Sequence, residues 1–186
     1  MKTMPLFRPQ QAETQTQKTK IMVEAVICNK KPVYLARLDY SKHTTKTGKH
    51  AIDGKFMGKV WPEIHKACCK AMPKKVKPIL LLDRATVHTC KLSQETLDAL
   101  FGKGGWRFLP PKSPDLSMCD AAVFPNMKRS VGALGATTAD EIWKACRKVW
   151  NEITPETCAA MDQRVWRNTT QVQRLTGGNF YDESAV

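Results

Sequence analysis

The stretch Ser113-Pro114-Asp115-Leu116-Ser117-Met118-Cys119-Asp120 decides how this chain is read. It follows Pro110-Pro111-Lys112, a segment its prolines hold extended, and it ends on a carboxylate. Thirty-six residues separate Asp120 from Asp83, which closes the apolar run Ile79-Leu80-Leu81-Leu82. A carboxylate at the C-terminal edge of a central strand and another in the first turn of the next helix can converge on one divalent ion or on a pair. Two-metal sites serve phosphodiester chemistry, one ion activating the attacking oxygen and the other stabilising the leaving oxygen. Hard cations such as Mg²⁺ select oxygen ligands. Spacing alone is a weak signal, because Asp at a strand end also caps turns and Asp in a first helical turn also complements the macrodipole.

The chain has 186 residues and 42% apolar content, enough for one well-buried core and too little for two comfortable domains. Thirty Lys and Arg against 17 Asp and Glu give a net charge of +13, which favours a polyanionic partner, most commonly nucleic acid. A merely basic surface without a specific site is the plainer reading of the same charge. Seven cysteines with no signal peptide ahead of them fit reduced thiols in an intracellular compartment. No apolar run approaches the roughly 20 residues of a membrane span, so no membrane is expected. The absence of Cys-x-x-Cys argues against zinc.

Residues 1–20 are polar, without helical or strand periodicity, and read as a loose arm. The β-branched run Ile21 to Cys28, the turn Asn29-Lys30-Lys31-Pro32 and the run Val33 to Tyr40 predict an antiparallel hairpin. Ser41 to Gly54, with Lys42, Lys46 and Lys49, is expected as a basic loop, either tracking a phosphate backbone or merely exposed. Apolar positions from Phe56 to Met72 repeat at helical spacing, which places Met57, Trp61 and the Cys68-Cys69 pair in a core; Pro62 starts or kinks that helix. Ile79 to Asp83 is expected as a doubly covered strand lying parallel beside the hairpin.

Ser93 is the expected N-cap of the next helix, with Leu92 and Leu97 as its staple, and Trp106 to Leu109 a further strand. A helix from about Ser117 to Val131 carries Asp120 in its first turn. Thr138 with Glu141, and Thr154-Pro155-Glu156, start two C-terminal helices. Gly177-Gly178 ends the ordered part, so the domain is bounded at 21–176 with a tail at 177–186.

Leu81-Leu82-Asp83-Arg84-Ala85-Thr86-Val87-His88 resembles the Asp-Asn-Ala-x-x-His segment of the mariner superfamily of transposases. Leu109 to Asp120, continued by Met127-Lys128-Arg129, is similar to that family's Pro-x-Ser-Pro-Asp-Leu-Asn-Pro-x-Glu/Asp segment. The strand at Lys20 to Ile27 and the C-terminal words Trp143 to Arg147, Trp150-Asn151, Ile153 to Glu156 and Gly177-Gly178 extend the resemblance to about residues 20–180. It implies a DDE/DDD-type, integrase-like catalytic domain: an α/β, ribonuclease H-like mixed sheet flanked by helices, with C-terminal helices. It also implies three acids binding Mg²⁺ or Mn²⁺ for DNA cleavage and transfer, and action in the nucleus.

Carried over position by position, Asp83 is the second acid and Asp120 the third, both as catalytic metal ligands. Asp115 shapes the turn, and His88 serves site architecture before general-base chemistry.

Three departures from the family bear on activity. The first acid belongs on a strand before Ile21, yet residues 1–20 contain only Glu13 as an acid, so the domain is expected to lack its first strand. Arg84 replaces the family Asn, and its positive charge is expected to compete with metal for Asp83. The DNA-reading helix-turn-helix module is not seen. Glu24 and Asp39 lie on the hairpin strands, from which either is a candidate to approach Asp83 as a substitute acid, but neither falls at the triad register.

The favoured reading is a truncated or domesticated transposase core that associates with DNA and has weak or no strand-transfer activity. One alternative is an active Mg²⁺-dependent strand transferase or endonuclease whose first acid comes from elsewhere. Another is a structural part of a homodimer or larger nucleoprotein assembly, contacting through Trp143, Trp150 and Trp166.

Overall fold

The computed structural model describes residues 19–39, 41, 43–45, 47–48 and 51–174. The expected arm and tail, Tyr40, and the loop residues Lys42, Lys46, Lys49 and His50 therefore lie outside the described residues, apart from Thr19 and Lys20.

Strands β1 (Val23–Cys28) and β2 (Lys31–Arg37) form the expected antiparallel hairpin, with an irregular register between Val26 and Ile27. The link is two residues long because Asn29 and Lys30 both adopt positive φ, 49° and 57°, the geometry that matches the twist of paired strands. Alternation then sends Val26 to one side of the hairpin and Ile27 to the other.

On the first side lies α1 (Gly54–Ala71), capped by Asp53, whose side chain accepts from the Phe56 N–H at 2.8 Å. Met57, Val60, Trp61, Ile64 and Cys68 form its buried stripe, while Cys69, expected in the core with Cys68, is exposed because it falls one residue off that stripe. Pro62 sits inside the helix and does not start it. On the second side pack α5 (Ala139–Asn151) and α6 (Pro155–Arg174). Thr138 and Glu141 form the predicted reciprocal cap of α5. The result is a mixed α/β fold in which helices flank small sheets.

Strand β3 (Leu80–Leu82) pairs in parallel with β4 (Trp106–Phe108). The short turn α2 (Thr86–Thr89) and the helix α3 (Lys91–Phe101) lie between them. Two expectations about β3 are corrected. It is not hydrogen-bonded beside the hairpin: among the described residues there are two separate two-stranded sheets. Nor is it doubly covered, since Ile79 is 66% and Leu81 59% exposed. The C-terminal helices build their core with the hairpin and the 118–131 segment instead, leaving one face of β3 open.

Ser93 is also not a cap. The α3 helix begins at Lys91, and the fully buried Ser93 Oγ donates to Val87 O at 2.6 Å while accepting from Trp61 Nε1 at 3.3 Å. Leu92 is exposed, so the expected Leu92–Leu97 staple is not formed.

A cavity of about 420 Å³ separates β1 from β3. Consecutive residues of both strands line it, Glu24 to Asn29 on one side and Ile79 to Leu82 on the other. A strand presents every second residue to whatever covers its face, so consecutive lining means that two strand edges look across the gap. The pairing agrees, because Leu38 N donates to Met22 O at 2.9 Å and the next odd-numbered residues of β1 then turn their backbone groups away from β2. Ala25 O, so turned, accepts from Cys119 Sγ at 3.4 Å.

Candidate metal and nucleic-acid site

Asp83 follows β3 directly, where the chain leaves the β3–β4 sheet. Its Oδ1 accepts from Ala85 N at 3.1 Å, a local turn that bends the backbone into α2. That bend returns His88 to Asp83, with Nδ1 and Oδ1 2.6 Å apart. His88 is buried, with its ring edge-on to Trp61 at 5.3 Å, so the core of α1 holds it in place. The His88 hydrogen bond, outweighing burial, holds the Asp83 carboxyl below the usual carboxylate range. Burial pulls the His88 imidazole down, but the Asp83 hydrogen bond and the charges of Glu24 and Asp83 prevail and raise it. His88 thus fixes the Asp83 carboxylate.

Arg84 corrects an expectation. Its Nε donates to Leu109 O at 3.2 Å and its guanidinium lies 5.5 Å from the centre of the Phe108 ring. No Arg84–Asp83 ion pair forms among the described residues. Adjacent residues leaving a strand point to opposite sides, and β4 offers Arg84 a carbonyl and an aromatic face on its own side. The side chain that engages Asp83 is His88.

Pro114–Leu116 is a 3₁₀ turn, and after Ser117 the chain is helical without a break from Met118 to Ala133, so Asp120 lies in the first turn as expected; that turn is π-helical over Cys119–Val123 and continues as α4 (Phe124–Ala133). Asp120 therefore sits in a widened turn of the kind found at functional sites, its N–H donating to Ser117 Oγ at 3.2 Å. Asp115 is buried in the 3₁₀ turn, and its carbonyl accepts from the buried Asn168 Nδ2 of α6 at 3.1 Å. The block is thereby tied to the last helix.

Asp83 and Asp120 line one cavity of about 280 Å³, together with Arg84, Lys112 and Ser113. Two carboxylates from separate elements, with water completing the shell, suit a hard divalent ion held through one or two acids. Among the described residues no three His, Cys, Asp or Glu side chains converge to hold one metal ion.

A third carboxylate is nevertheless within electrostatic reach. Burial pushes the Glu24 carboxyl up to about 7, with His88 opposing and Asp83 and Asp120 adding to the rise. Its place on β1, two residues before the buried Val26 on the face toward α1, was the signal for it in the sequence. Asp39, the other hairpin acid, accepts instead from Ser41 N and Oγ at 3.1 and 2.7 Å.

A family model described as "DDE superfamily endonuclease" matches residues 8–141. No curated protein matches the chain. Among solved structures, the chain is similar to the Mos1 transposase paired-end complex with left transposon end, at 19% identity over 87% of this chain and 51% of that one, with a TM-score of 0.45. It thus spans about half the length of that chain. It is also similar to the Mos1 transposase catalytic domain with Raltegravir and Mn, at 19% identity over 76% and 80% of the two chains, with a TM-score of 0.42. The same domain with Raltegravir and Mg gives 19% identity, 76% and 81% coverage, and a TM-score of 0.41.

Proposed function

The chain belongs to the DDE superfamily endonuclease family, and on that premise we propose that it is a mariner-type, DNA-associating domain with weak or no strand-transfer activity. The observation that carries the family reading is that Asp83 and Asp120, from separate elements, line one cavity; the weak activity rests on the first acid, for which residues 1–20 offer only Glu13. Of the two acids that line one cavity, the one at the strand end already has Oδ1 engaged by His88 and Ala85 N. Asp83 and Asp120 are the residues that would hold Mg²⁺ or Mn²⁺, which when bound activates the attacking oxygen and stabilises the leaving one. The chain's own contribution is to fix Asp83 through His88, and Asp120 through Ser117 and the π-helical turn.

The charge of +13 supports DNA as partner and the nucleus as compartment. Among the described residues no strand fills the channel between β1 and β3. The same channel, with Glu24 in its lining, favours a second reading, in which the missing acid is supplied from elsewhere and catalysis is restored. Trp166 on α6, 73% exposed, is compatible with a homodimer or nucleoprotein assembly, whereas Trp143 and Trp150 pack against the C-terminal core.

Two measurements test the proposal. Affinity for random-sequence duplex DNA should fall linearly on logarithmic axes as salt rises; affinity independent of salt contradicts DNA association through the basic surface. Calorimetric titration with Mn²⁺ should give heat for the wild type and less for Asp83→Ala. Equal, negligible heats remove the metal site.

A further inference from the structure

Beyond the two acids, a second and larger cavity of about 670 Å³ also reaches Asp120. Arg129 from α4 and Arg164 from α6 line it, together with Asp115 and Asn126. These residues come from the turn, the π-helical segment and two helices, so the arrangement is tertiary and no single helix face makes it. The position of Arg164 is constrained, since Asn168, one helical turn further along α6, donates to Asp115 O at 3.1 Å. Asn126 Oδ1 accepts from Arg129 Nη2, which orients that guanidinium from within α4.

Neither arginine forms an ion pair among the described residues, although the Asp115 and Asp120 carboxylates line the same cavity. Both guanidinium groups are exposed, permanently charged, and built as forks that match two oxygens of one phosphate.

We infer that Arg129 and Arg164 form a phosphate cradle beside Asp120, which holds the backbone of a nucleic-acid strand, without reading its sequence, where it passes the acid pair. The inference rests on the DNA-associating reading and adds to it the surface that makes the contact. The two guanidinium forks, neither in an ion pair among the described residues, select an anionic occupant on their side of the cavity. A phosphodiester satisfies both forks, and its position next to Asp120 leaves one side of the phosphate facing the carboxylates. The two arginines are positioning residues. Their removal weakens every duplex alike, because phosphate contacts carry no base information.

The test is anisotropy of a labelled random-sequence duplex from about 50 to about 300 mM salt, with the full chain. Arg129→Ala and Arg164→Ala should each weaken binding by roughly tenfold and lower the slope of log affinity against log salt by about one. Arg164→Lys should keep the slope, having kept the charge, and lose part of the affinity with the fork. Lys91→Ala, which removes a lysine paired with Glu95 on α3 at 3.7 Å, should change neither.

If the wild type binds and both arginine variants bind like it, the cradle is wrong and DNA association stands. If Lys91→Ala loses as much as they do, the effect is net charge and the cradle is wrong again. If the wild type shows no salt-dependent binding, both the cradle and the reading beneath it fall. Unchanged circular dichroism in Arg164→Lys separates these outcomes from loss of fold.

Discussion

Nδ1 of His88 stands 2.6 Å from Oδ1 of Asp83, so the acid that ends β3 is paired before any ion approaches it. That relationship occupies one oxygen of a would-be metal ligand, and the core of α1 enforces it through Trp61. The pair therefore stabilises the fold and opposes metal binding together.

His88→Ala should tighten Mn²⁺ binding by about tenfold near pH 6, since a neighbouring positive charge is removed. It should also lower stability by about 2 kcal/mol, through the lost hydrogen bond and the void beside Trp61. The sign of the pH dependence follows from the two shifts. The lowered Asp83 value gives stability that is lost as pH falls through it, and the raised His88 value gives stability that is lost as pH rises through it. Calorimetry and urea melts across pH check both.

Glu24→Gln should stabilise the protein in alkaline solution. The Glu24 carboxyl moves from 4.5 to about 7 on folding, so folding favours its neutral form, and the cost of ionising it grows from about pH 4.5 and is complete above pH 7. A shift of that size corresponds to about 3 kcal/mol. Urea melts should show Gln ahead by up to that amount at pH 8 and level with the wild type at pH 4; a constant difference at both would contradict the account.

Arg84→Ala should leave Mn²⁺ binding within about threefold of the wild type, because the guanidinium engages Leu109 O and the Phe108 ring and not Asp83. Stability should fall by less than about 1 kcal/mol, as expected for an exposed cation–π contact. A tenfold gain in Mn²⁺ affinity would restore Arg84 as the competitor.

Asn168→Ala should cost about 1–3 kcal/mol, because it strands the buried Asp115 carbonyl that its Nδ2 satisfies. Hydrogen exchange should then rise in residues 113–120 more than in α1. Equal protection in both regions would mean that α6 does not hold the turn.

The parts of the fold written in local chemistry were legible in the sequence. The hairpin, the buried stripe of α1 and the Thr138–Glu141 cap each follow from periodicity or from groups three to four residues apart. Features set by distant partners were not legible. Whether β3 lay beside the hairpin depended on β4 and on where the C-terminal helices found their core. Ser93 looked like a cap until Trp61 and Val87 took its hydroxyl.

The site divides in the same way. Asp83 and Asp120 were readable from their neighbouring words, and the structure brings them to one cavity. The direction of Arg84 and the electrostatic reach of Glu24 depend on side-chain placement, which adjacency in sequence does not give. The Arg129–Arg164 arrangement brings α4 and α6 to one cavity, and Arg164 had no signal in the sequence beyond charge.

We propose that this family member keeps the acid pair yet transfers strands weakly or not at all. It is tested most directly by nicking of supercoiled plasmid with Mn²⁺, comparing the wild type with Asp120→Ala. The account predicts that the two chains nick at the same background rate. Nicking by the wild type that Asp120→Ala abolishes would contradict it and establish a working catalytic site.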